Sequence, residues 1–171
     1  MILVAIGANL PGPDGSTPLA ACEAAACAVR AIDGLRFIAL SPWYRTAPIP
    51  HSNQPDYCNG MIRLEGEICP VALLTQLQAI EQRHGRARAE SHAESNEART
   101  LDLDIIDLNG VIRALSDPIL PHPRAHRRAF VLRPLLDVAP AWRHPVLRRS
   151  VATLLAELPP QAIQPWTEDI A

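Results

Sequence analysis

The stretch "RTLDLDIIDLNG", Arg99 to Gly110, decides how the rest of the chain is read: a Leu- and Ile-rich run that carries Asp102 and Asp104 two residues apart. A strand turns successive side chains to opposite faces, so Leu101, Leu103 and Ile105 line one side and the two aspartates the other. Alternate strand residues lie ~6.6 Å apart along the chain. Short carboxylate arms at that spacing can converge on hard cations. Mg²⁺ suits such a pair, because it accepts one or two carboxylates together with retained waters and substrate phosphates. A bare Asp-x-Asp is also the pattern of a solvated strand face, so its neighbours must decide.

Upstream, residues 85–98, "GRARAESHAESNEA", lose apolar periodicity and contain the near-tandem repeats AESH and AESN, which predicts a mobile surface loop. Before it, Pro70 sits where a helix can begin. Leu73, Leu77, Ile80 and His84 then repeat at helical spacing, and Gln78 and Glu81 are neighbours on the other side. "YCNGMIRLEGEI", from Tyr57, alternates as a strand. "TAPIPHSNQPDY", Thr46 to Tyr57, is too Pro-rich for regular structure and suits the wall of a pocket. Leu35 to Tyr44 reads as another strand. Thr17-Pro18 caps an Ala-rich helix running to about Ile32, and residues 2–6 form the first strand.

Downstream, Asn109-Gly110 is a turn signal, with "VIR" (111–113) returning as a short paired strand. Apolar helices follow over Ala129 to Val138 and Ser150 to Leu158, and the tail from 159 to 171 has no readable role. The order strand, helix, strand, strand, helix, strand, then helices is the split βαβ pattern. It predicts an α+β domain with a four-stranded antiparallel sheet and helices on one face.

Composition sets the wider bounds. At 171 residues and 48% hydrophobic content, the chain reads as one compact domain, 1–171. A formal net charge of −2 argues against nucleic acid or an acidic membrane as partner and leaves a small-molecule substrate. All 16 basic residues are Arg, which removes P-loop and Schiff-base lysines together. Cys22, Cys27, Cys58 and Cys69 have no metal-ligand spacing and read as reduced core residues, and "MILVAIG" is too short for a membrane span, so cytoplasmic location is expected.

Arginines change the weight of the Asp pair. Arg86, Arg88 and Arg99 flank it, and Arg124, Arg127 and Arg128 cluster with His122 and His126 about twenty residues later. Guanidinium forks match phosphate oxygens, and a metal with several arginines is what a polyphosphate requires. His122, between two prolines, is held in stiff backbone. Tyr57 and Asn59 offer a ring and an amide suited to a flat heterocycle.

Four ordered segments, "AIGANL", "SPWYRTAPIPHSNQPDYCNG", "RTLDLDIIDLNG" and "LPHPRAHRRAFVLRPLLDVAP", together resemble the 6-hydroxymethyl-7,8-dihydropterin pyrophosphokinase family over roughly residues 2 to 140. The resemblance implies a ferredoxin-like βαββαβ sandwich and transfer of the β,γ-pyrophosphate of ATP to the pterin hydroxymethyl group in folate biosynthesis, leaving AMP. By it, Asp102 and Asp104 match aspartates that hold two Mg²⁺ ions. Gln78, Glu81, Arg88, Arg99, Ile105, His122 and Arg128 fall where the family contacts ATP, and Arg86 matches a second loop arginine linked to later steps. Thr46, Ala47, Ile49, Tyr57, Asn59 and Phe130 fall on the pterin pocket, Phe130 stacking and Tyr57 forming a wall. Arg86 and Arg99 join the Asp pair as the expected catalytic set. Other folate-pathway enzymes are conceivable partners.

The chain departs from the family pattern at "SNEAR", where many members carry Arg-Trp-x-x-Arg, at about three extra residues between Arg88 and Arg99, and at Pro123, where some have tyrosine. Two further readings differ in product: a catalytically impaired pterin- or nucleotide-binding homologue makes no AMP, and a nucleotidyltransferase releases pyrophosphate.

Overall fold

The computed structural model describes residues 1–48, 51–85 and 100–167. The elements are β1 (Ile2–Ala8), α1 (Pro18–Arg30), β2 (Leu35–Leu40), β3 (Tyr44–Thr46), β4 (Tyr57–Gly66), α2 (Pro70–Arg83), β5 (Asp102–Leu108), α3 (Ala129–Val138), α4 (Val151–Ala156) and β6 (Ile163–Pro165). A 3₁₀ turn at Ala125–Arg127 precedes α3.

Both long helices start where the prolines place them. Thr17 caps α1, its hydroxyl accepting the Ala20 N–H at 3.1 Å, and Pro18 and Pro70 stand at the first helical positions. Helix α1 buries Ala21, Cys22, Ala25, Ala26 and Val29, whose small side chains let it lie close to the sheet; α2 buries Leu73, Leu77 and Ile80. Only Cys22 and Cys58 are the core cysteines expected of all four; Cys27 falls on the outer face of α1 and Cys69 at the N-cap of α2, and both are exposed.

The sheet is antiparallel in every pairing, with order β5-β1-β4-β3-β6 and β2 sharing with β3 the same neighbour, β4. It has six strands among the described residues, not the expected four, for two reasons. The strand read over Leu35 to Tyr44 is broken at Ser41-Pro42-Trp43. There Pro42 has no N–H to give, and the Ser41 hydroxyl accepts the Met61 N–H at 2.9 Å in place of a backbone carbonyl. The second reason is the tail, whose Ile163–Pro165 adds an edge strand against β3.

Helices cover both faces, which corrects the expectation of one. Ile2, Val4, Ile6, Ile62, Leu64, Leu103 and Ile105 pack with α1 and α2; on the other face Leu3, Met61 and Ile106 pack with Val131, Leu132 and Leu135 of α3 and with Val151 and Leu154 of α4. A central strand buried on both faces reads as a continuous apolar run, and "ILV" at residues 2–4 is such a run.

Residues 111–113 do not form a returning strand. Asn109 and Gly110 take positive φ as a tight turn, but Arg113 bridges to Leu120 instead. The outer edge of β5 has other partners: the Ile106 carbonyl accepts the His122 N–H at 2.9 Å, and the Leu103 N–H is met by the buried Glu81 carboxylate at 2.8 Å. An edge closed in this way offers no ladder to another strand.

β5 carries a bulge where Leu3 and Val4 face Asp107 and Ile105, leaving Ile106 unpaired. Ile106 and Asp107 therefore turn to the same face. Asp107 is buried, its carboxylate accepting the Trp142 indole N–H at 2.7 Å and the Gly110 N–H at 2.8 Å. Trp142→Phe keeps an aromatic ring but loses the indole N–H and part of the buried volume, stripping a donor from a buried carboxylate and leaving a small cavity, so we expect a loss of about 3 kcal/mol in urea unfolding with an unchanged m-value.

Candidate active site

The site follows from strand register. Asp102 of β5 pairs with Gly7 of β1, Gly7 with Asn59 of β4, and Asn59 with Tyr44 of β3. Direct partners in antiparallel strands share a face, so these four residues form one row across the sheet. One step of the pleat away, Asp104 stands opposite Ala5. With strands spaced at ~4.8 Å, Asp102 and Asn59 sit about 10 Å apart. Helices α3 and α4 cover the other end of this face, over Leu3, Met61 and Ile106.

Gly7 is the gap in the row. A Cβ there would lie 2.9 Å from Asn59 Oδ1, so the absence of a side chain lets the Asn59 amide stand over β1. Asn59 is 6% exposed, and its Nδ2 donates to Thr46 Oγ1 at 2.6 Å. Tyr57 lies two residues before Asn59 on the same face, its hydroxyl donating to Gln54 Oε1 at 3.3 Å. Gln54 Oε1 also accepts from Asn9 Nδ2 at 3.2 Å, and the same Nδ2 reaches the Pro55 carbonyl at 3.1 Å. The 1%-exposed Asn9 thus clips the Pro-rich loop onto the end of β1.

At the Asp end, His122 Nε2 lies 3.7 Å from Asp104 Oδ2. Burial, reinforced by the nearby Arg128 and Arg124 charges, pushes the His122 pKa down to about 4, although Asp102 pulls it up. The ring is therefore neutral at pH 7. Its Nδ1 accepts the Arg124 backbone N–H at 3.2 Å, which assigns the single ring proton to Nε2, on the side of Asp104. Arg128 lies over the Phe130 ring, 5.3 Å from its centroid, at the start of α3.

Among the described residues no three His, Cys, Asp or Glu groups gather as a metal cage. Two carboxylates on one strand face are nonetheless the donor set that Mg²⁺ shares with waters and phosphates. Asp102 and Asp104 fit such an ion.

The sequence profile of the 7,8-dihydro-6-hydroxymethylpterin-pyrophosphokinase (HPPK) family matches residues 3–140. The chain belongs to that family. A Haemophilus influenzae 2-amino-4-hydroxy-6-hydroxymethyldihydropteridine pyrophosphokinase is 35% identical over 136 residues, which cover 80% of this chain and 79% of that one. The Pseudomonas aeruginosa protein of the same name is 36% identical over 163 residues, 95% of this chain and 94% of that one. Among solved structures, Plasmodium falciparum HPPK-DHPS with pterin and p-hydroxybenzoate aligns at TM-score 0.67 and 13% identity over 91% of this chain; the match spans only 43% of that longer chain and shows the fold. The HPPK assignment makes this chain a pyrophosphokinase of folate biosynthesis. No helix among the described residues is long and apolar enough to cross a membrane.

Of the residues singled out from sequence, the structure gathers Asp102, Asp104 and His122 at one end of the row, with Arg128 close enough to bear on His122. Asn59, Thr46 and Tyr57 gather at the other. Ala47 follows directly on β3, and Phe130 stands on the first turn of α3. Ile105 turns away from the aspartates into the α1/α2 core. Glu81 is 5% exposed and holds the edge of β5, while Gln78 lies on the same helix, three residues earlier. Ile49, Arg86, Arg88, Arg99 and the loop read over 85–98, apart from Gly85, lie outside the described residues.

Sequence reasoning missed three supports of the HPPK site. Asn9 follows a strand in "GAN", a pattern that signals only a turn. Trp43 backs the sheet from the α1/α2 core side, lying against Gly60, where a Cβ would meet its ring at 2.5 Å. Tyr44 donates to Asp137 of α3 at 2.5 Å and accepts from Arg133 at 3.2 Å, fixing α3 against β3.

Proposed function

We propose that this chain transfers the β,γ-pyrophosphate of ATP to the hydroxymethyl oxygen of 6-hydroxymethyl-7,8-dihydropterin and releases AMP, in a Mg²⁺-dependent reaction. The observation that carries this reading is the register row, which sets Asp102, with Asp104 one pleat step away, and the buried Asn59 amide bonded to Thr46 on one face, with the side-chain-free Gly7 between them. The elements β1, α1, β2, β4, α2 and β5, with strands side by side as β5-β1-β4-β2, would be the ferredoxin-like βαββαβ core that carries it.

Each residue then has a task. Asn59, with Thr46 holding its amide, offers a paired donor and acceptor to the pterin edge, and Phe130 and Tyr57 supply ring stacking and a wall. Gln78, His122 and Arg128 face ATP, with Arg88 and Arg99 from the segment before β5 and Arg86 serving a later step, while Ile105, its side chain turned into the α1/α2 core, meets ATP through its backbone groups. Glu81 acts through the β5 edge that it already holds, and Ala47 and Ile49 act through their backbone groups. Asp102 and Asp104 would hold two Mg²⁺ ions, which supply charge neutralisation between the phosphates. The neutral His122 donates from Nε2 to an oxygen near Asp104. In-line attack by the pterin hydroxyl on the β-phosphorus forms the new O–P bond and breaks the bond to the α-phosphate, AMP departs with the bridging oxygen, and the hydroxyl proton passes to a phosphate oxygen or to solvent.

The test is product identity. Incubated with ATP, Mg²⁺ and the dihydropterin, the protein should give AMP over many turnovers, and none when Mg²⁺ is chelated. Pyrophosphate or ADP as product would overturn the reading. So would ATP left intact while pterin binds, which would move the chain to a binding role.

A further inference from the structure

Gln161 lies beyond residues 3–140, the part matched by the family profile, yet its side chain reaches back to the start of α3. Its Oε1 accepts the Ala129 N–H at 2.8 Å, and its Nε2 donates to the Arg127 carbonyl at 3.0 Å. An N–H can only be met by the amide oxygen and a carbonyl only by the amide nitrogen, so the two contacts fix a single amide orientation. Together they bracket Arg128.

The start of α3 needs such a partner. Arg128 occupies the N-cap position without a side-chain cap, and the first N–H groups of a helix have no partner within it. Gln161 supplies one from 32 residues away in the chain. The tail is itself fixed to the opposite wall of the site: β6 pairs with β3, setting Ile163 opposite Thr46, the Trp166 N–H donates to the Trp43 carbonyl at 2.8 Å, and Arg45 lies over the Trp166 ring at 4.6 Å. A tail tied to the Thr46 strand therefore holds the turn that carries Arg128 and Phe130.

We infer that Gln161 is a positioning residue for the reaction, setting Arg128 toward the nucleotide and Phe130 toward the pterin through the backbone on either side of Arg128. This rests on the proposed ATP and pterin roles of those two residues. A neutral hydrogen bond contributes modestly, and the pair of bonds here acts on a group that meets charge.

The test uses Gln161→Met in the full chain, which keeps the length and packing of the side chain and removes both hydrogen bonds. KM for ATP and for the dihydropterin should each rise about fivefold, with kcat changed less. In an Arg128→Ala background the same substitution should leave the ATP KM within about twofold, because residues acting through one another are non-additive. Gln161→Glu, which keeps the acceptor and loses the donor, should fall between wild type and Gln161→Met. Unchanged KM values in Gln161→Met, or a fully additive effect with Arg128→Ala, overturn the inference and leave Gln161 a purely structural tie. Calorimetric titration of each variant with Mg²⁺ and ATP, without pterin, separates the two readings. If wild type binds ATP but makes no AMP, the reaction assignment fails, while weaker ATP binding by Gln161→Met still supports the positioning role and equal binding overturns it. Wild type that binds no ATP overturns both.

Discussion

Asp104→Ala should reduce AMP formation on the order of 10³-fold while the protein stays folded. The size of the effect follows from what the reaction lacks: phosphoryl-type transfer involves little covalent chemistry by the protein, so positioned charge supplies most of the acceleration. Removing one of two carboxylates that would hold the metal removes that charge where it develops. The fold has little stake in this side chain. Asp104 is 38% exposed at its side chain, stands opposite Ala5, and faces away from the core filled by Leu103 and Ile105. Unfolding free energy should move by about 0.5 kcal/mol or less, as for a surface substitution. Asp104→Asn separates charge from shape: it fills the same volume, and its turnover should also collapse. Turnover within about tenfold of wild type in either variant would remove Asp104 from the metal role.

Much of the fold was legible where the physics is local. The period-two pattern of "LDLDI" sets Leu101, Leu103 and Ile105 into one core and the aspartates on the other face, because alternation depends only on the pleat. Thr17-Pro18 and Pro70 marked helix starts for an equally local reason. Long-range choices were not legible. Nothing in "DIID" announces that Ile106 will bulge and turn Asp107 into the same core as Trp142, because a bulge belongs to the pair of strands and not to one of them. "IQP" is too short and too polar to announce an edge strand, and it becomes one only because β3 leaves an unpaired side. The helices on the aspartate face were foreshadowed by Leu3, Met61 and Ile106, apolar residues on a side read as polar.

The site shows the same division. Residue types were readable: carboxylates for metal, an amide for a heterocycle, histidine in a stiff turn. Their juxtaposition was not, because it depends on register across three strands. Glu81, taken as a nucleotide contact from the family resemblance, is nearly buried and carries the Leu103 N–H. A carboxylate about three turns into an amphipathic helix gives no sign in sequence that a strand edge will need it.

That register makes the second large effect fall at Asn59. Asn59→Ala should raise the KM for the dihydropterin about 100-fold and leave the calorimetric affinity for ATP with Mg²⁺ unchanged. A pocket built to pair with a substrate's hydrogen-bonding edge loses most when one of its own polar groups is removed, because the substrate's groups are then desolvated without partners. Here the amide is 6% exposed and already oriented by Thr46 at 2.6 Å, so little reorganisation softens the loss. ATP should be spared because the Asp pair sits about 10 Å along the row, beyond contact with the amide. Thr46 loses its donor but keeps a hydroxyl able to bind water, so the stability cost should be about 1 kcal/mol. Gly7→Ala attacks the same amide from beneath without deleting it: the new Cβ, 2.9 Å from Asn59 Oδ1, must displace it, and the pterin KM should rise in the same direction by a smaller factor. If both substitutions leave the pterin KM within about threefold while ATP affinity falls, the heterocycle lies elsewhere and the row across β5, β1 and β4 serves the nucleotide alone.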